Sequence, residues 1–82
     1  MQAWYRVRTL ASLGTAMAEI RRNAGLNQDD AAALAHASRP TMSRLERGAP
    51  SSTAVIIDLL ASTGYEVLLV PRGSRVTIKE PS

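Results

Sequence analysis

From Leu13 onward, apolar residues recur at Leu13, Ala16, Met17, Ile20 and Ala24, with Glu19, Arg21, Arg22 and Asn23 between them. That spacing keeps one side of a helix apolar, and Gly25 follows as a stop, so a first helix is predicted over residues 10–24. Asn27 suits the cap of a second helix, about eight residues long by this spacing, with Asp29 and Asp30 complementing the dipole of its first turn. Its inward set is read as Ala31, Leu34 and Ala35, small side chains that let another helix cross close by. His36, Ala37 and Ser38 connect it to a third helix. This one is placed from about Pro40 to Gly48, because proline suits a first turn and restricts Arg39 before it to extended geometry. Met42 and Leu45 then face the core, while Pro40, Ser43, Arg44 and Arg47 share the opposite face. After the turn 49–52, Ser51 or Ser52 caps a fourth helix, whose buried stripe is Val55, Ile56, Leu59, Leu60 and Thr63 before Gly64.

Beyond Gly64 the period changes. Glu66, Val67, Leu68, Leu69 and Val70 are apolar on both faces after the first and end at Pro71, a pattern that predicts a strand covered on two sides. Residues 75–79 alternate like a half-exposed second strand behind the turn 71–74, so a hairpin is one arrangement and pairing with a second chain is another. The chain reads as a single domain, 1–82, with a helical core over 9–64, a β dimerisation segment over 65–79 and a frayed tail at 80–82.

Composition narrows what such a domain can do. At 82 residues a chain buries only about 60% of its unfolded surface, so a partner subunit would add stability. There is no Cys and one His, which removes disulfides, thiol catalysis and the usual zinc and iron–sulfur sites; no cofactor and no metal are expected. The only adjacent carboxylates, Asp29 and Asp30, are explained by the helix start, so no enzymatic site is read. No run approaches the roughly 20 apolar residues of a membrane span and no secretory leader is apparent, so the expected location is the cytoplasm, at the bacterial nucleoid. The net charge of +3 hides a pattern: residues 1–28 carry +3, 39–47 carry +2 and 67–82 carry +2, around two acidic stretches. Nine of the ten cations are Arg, whose planar fork matches phosphates and guanine edges.

Two short helices joined by a tight turn, the second with a basic polar face and a glycine stop, meet the needs of a helix-turn-helix: one braces while the other enters the major groove. The stretch Leu26-Asn27-Gln28, then Ala32 and Ala35, then residues 38–48 (SRPTMSRLERG) resembles the helix-turn-helix of the phage Cro/repressor (Xre) family. Leu13, Ala16, Met17 and Arg21 ahead of it, and residues 52–72 behind it, look like HipB-type antitoxins. The resemblance implies a mainly α, lambda-repressor-like bundle of four to five helices. A C-terminal strand or hairpin would form a sheet between subunits, with residues 66–70 as the dimerisation strand. It also implies a DNA-binding set: Asn27 and Gln28 at a phosphate, Ser38, Arg39, Pro40, Thr41, Ser43 and Arg44 in the recognition slots, and Arg47 at the backbone. Arg44 is the expected base reader, and Arg39 is restricted by Pro40. Arg21 and Glu46 match positions that pair across helices 1 and 3 in the family. His36 stands where the family usually has Gly, a left-handed position. Ala31 stands where Leu is usual, which predicts lighter packing unless Trp4, Tyr5 or Leu10 fills the space.

The expected function is therefore a sequence-specific transcriptional repressor of the antitoxin type, binding a palindromic operator in double-stranded DNA as a homodimer and neutralising a HipA-like kinase toxin. A stand-alone phage-like regulator without a toxin is the first alternative. A protein-interaction module on the same fold that does not bind DNA is the second; the polar, basic face of Ser43, Arg44 and Arg47 speaks against it.

Overall fold

The computed structural model describes residues 4–79. Its helices are α1 (Leu10–Asn23), α2 (Gln28–Leu34), α3 (Arg39–Glu46) and α4 (Thr53–Ser62). The residues expected as a tail, 80–82, lie outside the described region.

Each helix begins where a short polar side chain satisfies backbone N–H groups that have no partner within the helix. Thr9 caps α1, Asn27 caps α2, Ser38 caps α3 and Ser52 caps α4. At α1 and α2 the cap is reciprocal, with Ser12 and Asp30 reaching back to the cap residue's own N–H. Two expectations shift here. Arg39 is the first helical residue of α3, not an extended one, because the Ser38 hydroxyl captures Thr41 N–H at 3.2 Å and starts the helix one residue before Pro40. Pro40 thus sits in the first turn, where its missing N–H costs nothing.

The core is the cluster of Met17, Ala31, Ala32, Ala35, Met42, Leu45 and Leu59, with Leu13, Ala37, Val55, Ile56 and Leu60 packed against it. Leu34, read as inward, is instead 41% exposed, and Ala32 takes the inward place. In so short a helix the face is chosen by its neighbours: Ala31, Ala32 and Ala35 are the side chains small enough for α3 and α4 to cross closely. Ala31 is fully buried within the core cluster, and Trp4, Tyr5 and Leu10 are not among the residues packed against that cluster.

Two glycines answer to geometry. At Gly14 a Cβ would fall 2.5 Å from the Leu45 carbonyl oxygen, so α1 rests directly on the C-terminal turn of α3. Gly48 has φ 86° and leaves α3 in the left-handed region.

The single chain forms no strand among the described residues. Within 65–79 the backbone bonds are Tyr65 N–H to Leu60 C=O and Ser74 N–H to Pro71 C=O, so no hairpin ladder joins 66–70 to 75–79. Val67, Leu68, Leu69 and Val70 project 51%, 67%, 94% and 53% exposed. Tyr5 packs over the root of this segment, its ring 6.2 Å from that of Tyr65.

Candidate nucleic-acid interface

The turn between α2 and α3 fixes how the second helix is presented. Ala35 closes α2, and His36 turns the chain with φ 54°, the left-handed region that an L-residue enters at a cost. Ala37 N–H then bonds back to Ala32 C=O at 2.8 Å, after which Ser38 caps α3. Met42 and Leu45 anchor the inner side of α3 with 0% and 1% exposure. The outer side is thereby fixed: Arg39, Pro40, Arg44 and Arg47 are exposed, and Thr41 and Ser43 half-exposed.

The position of α3 is locked from below by an ion pair. Arg21 Nε donates to Glu46 Oε2 at 2.6 Å and Arg21 Nη2 to Glu46 Oε1 at 3.0 Å, the two-pronged geometry of a strong guanidinium–carboxylate contact. Arg21 Nη1 reaches Leu26 C=O at 3.0 Å, and Gln28 Nε2 donates to Glu46 Oε1 at 3.2 Å. One carboxylate therefore ties the end of α1, the start of α2 and the end of α3 together. Burial would raise the Glu46 carboxyl, but hydrogen bonds from Arg21 and Gln28 and the charges of Arg21 and Arg22 outweigh it and hold it below its ordinary value. The same hydrogen bond raises Arg21 above its own, against its burial.

These contacts redistribute the expected set. Asn27 Oδ1 accepts Asp30 N–H at 2.8 Å, so the cap occupies its carbonyl oxygen and leaves the Nδ2 donors. Gln28 is half-buried, and one of its two amide hydrogens is spent on Glu46, leaving the other. On α3, Arg44 Nη2 lies 3.4 Å from Thr41 Oγ1, and Arg47 Nη1 donates to Ser43 Oγ at 2.8 Å. Arg39 makes no side-chain hydrogen bond among the described residues. Residues 27, 28 and 38–47 thus gather at the start of α2 and along α3, whereas 66–70 form a separate exposed segment. Sequence reasoning missed the Gln28–Glu46 bond and both arginine–hydroxyl contacts. The i, i+3 and i, i+4 spacings of Thr41 with Arg44 and Ser43 with Arg47 were the available signal.

No group of His, Cys, Asp and Glu among the described residues could hold a metal ion. A shallow groove of about 310 Å³ lies beside Tyr5, Ser12 and Glu19 and is lined by no residue of α3. No helix among the described residues is long and apolar enough to cross a membrane.

Residues 12–67 match the helix-turn-helix domain family. No curated protein sequence matches significantly. Among solved structures, the fold is similar to the clp gene regulator ClgR of Corynebacterium glutamicum. The alignment has 24% identity and a TM-score of 0.66, over 80% of this chain and 85% of that one. In a second ClgR structure this chain spans 61% of the longer chain, again at 24% identity, with a TM-score of 0.64 over 68% of its own length. It is also similar to HipB in a complex of a HipB variant with an O2 20mer. There the identity is 18% and the TM-score 0.73, over 85% of this chain and 99% of that one. A HipA–HipB–O2–O3 complex gives 18% and 0.72, over 84% and 99%.

Proposed function

The chain belongs to the Xre-like helix-turn-helix domain family, and from that premise we propose that it is a transcriptional repressor reading double-stranded DNA through the outer face of α3. One observation carries the reading: an arginine-bearing helix face is held outward by a buried inner face and by the Arg21–Glu46–Gln28 lock. A major groove about 12 Å wide admits such a helix, and an arginine fork donates two bonds to guanine O6 and N7. Arg44, exposed in the last turn of α3, is the base reader. Arg39 and Pro40 flank it, and Arg47 and the free amide hydrogen of Gln28 meet phosphates. Binding-site selection from random DNA, followed by salt titration, tests this. The expected result is an enriched motif whose affinity falls steeply with salt. Salt-dependent binding with no enriched motif would contradict it.

The repressor acts as a homodimer on a palindromic operator. Support comes from 66–70, a non-helical segment whose Leu and Val side chains and backbone groups the single chain leaves uncovered. Native proteins cover such an edge, and a two-fold partner strand both completes the ladder and buries the side chains.

The antitoxin form of this reading adds a kinase toxin. It is supported by the likeness of fold to HipB, seen with HipA in one of the similar structures. The likeness to ClgR supports the form without a toxin. Co-expression with the product of an adjacent kinase-like reading frame separates the two: a co-purifying complex supports the first, and two independent proteins the second.

A further inference from the structure

We propose that Thr41 is a positioning residue that holds the Arg44 guanidinium ready for a guanine edge and makes no DNA contact of its own; this rests on the DNA-binding reading above. Ser38, Thr41 and Arg44 are spaced by three, so they form one line up the outer face of α3. The line is hydrogen-bonded from end to end. Ser38 Oγ accepts Thr41 N–H at 3.2 Å and lies 3.0 Å from Thr41 Oγ1, which in turn is 3.4 Å from Arg44 Nη2.

The chemistry fixes the direction at one end of the line. A guanidinium only donates, so Thr41 Oγ1 is the acceptor at the Arg44 end. Either hydroxyl can donate in the Ser38–Thr41 contact, and in both arrangements the Thr41 hydroxyl is held between Ser38 Oγ and the Arg44 guanidinium. Threonine in a helix divides between two side-chain rotamers, and the Ser38 contact selects the one that faces Arg44. Thr41 is half-buried and Arg44 exposed, and the contact uses only one of the five guanidinium N–H donors. The 3.4 Å contact is long for N–H···O, so it restrains the side chain and leaves the fork able to adjust to a base. Arg47 has a shorter tether, to Ser43 at the last turn. Restraining one rotamer-rich side chain before binding is worth about three- to tenfold in affinity.

The test uses the full chain, with a duplex selected from random DNA and a scrambled duplex as probes. Thr41→Val removes the hydroxyl but keeps the β-branched shape and the backbone N–H that Ser38 captures. It is expected to weaken the selected duplex about three- to tenfold and leave the scrambled one unchanged, while Thr41→Ser restores binding. On an Arg44→Ala background Thr41→Val should cost nothing further. A loss that adds to that of Arg44→Ala would show that Thr41 touches DNA itself, and an unchanged preference would show that the tether is idle; either overturns the proposal. A second readout needs no DNA. The ¹⁵N relaxation of Arg44 Nε in the free protein should show faster motion in Thr41→Val, with Arg39 Nε unchanged. Equal mobility of Arg44 with and without the hydroxyl also overturns it. If the natural chain selected no motif at all, the DNA reading would fail, and the relaxation measurement would still decide the tether.

Discussion

At the scale of single residues, the molecule depends most on Glu46, which gathers Arg21 and Gln28 from two other helices. Removing one member of a buried pair leaves the other charge uncompensated, at a cost of about 3–5 kcal/mol. Glu46→Gln or Arg21→Met alone should therefore lower stability more than the double variant, as read by a thermal double-mutant cycle. A coupling of zero would mean the two act independently. Because folding lowers the Glu46 pKa, its stabilisation is present above the unfolded carboxyl pKa and is lost as pH falls through the folded value. Glu46→Gln should accordingly flatten the acid side of the melting-temperature profile. His36 is the opposite case, a residue held at φ 54°. His36→Gly should stabilise by about 0.5–1 kcal/mol, the relief of left-handed strain less the added entropy of the unfolded glycine, and His36→Val should destabilise. Chemical denaturation checks both.

At the scale of elements, the helix boundaries were legible because caps and stops are local chemistry. Asn27 and Ser52 precede their helices as read and Gly48 ends the turn after α3, whereas the caps Thr9 and Ser38 were not read as such. The faces were harder to read. Leu34 and Ala32 compete for the same interior, and only the closeness of α3 and α4 decides for the smaller residue. The start of α3 moved by one residue because the Ser38 cap overrode the restriction that Pro40 places on Arg39. Among the candidate site residues, the basic outer face of α3 follows from its period. The hydroxyl partners of Arg44 and Arg47 emerge only once rotamers are fixed. The contact of α1 with α3 yields its own prediction. Gly14→Ala places a methyl against the backbone of Leu45 and Glu46, where nothing flexible can yield. A loss of about 1–3 kcal/mol is expected, with DNA affinity reduced because α3 is displaced. A melting temperature equal to that of the natural chain would refute the close contact.

At the scale of the whole molecule, the segment 66–70 is the feature that one chain leaves unfinished. The pattern of these residues predicts a strand, whereas the single chain forms none among the described residues, and the partner strand belongs to the proposed dimer. Truncation after Gly64 should yield a monomer by sedimentation and abolish cooperative operator binding, while a truncated chain that still dimerises would remove this segment from the interface. A two-fold dimer would set its recognition helices about 34 Å apart, one turn of DNA. The outer face of α3 is the proposed reading surface, and an equilibrium titration tests it most directly. The natural chain and Arg44→Ala are each titrated, at one salt concentration, against the selected duplex and its scrambled counterpart. The account predicts that Arg44→Ala loses about 1–3 kcal/mol on the selected duplex and almost nothing on the scrambled one. An equal loss on both duplexes, or no loss on either, would contradict it.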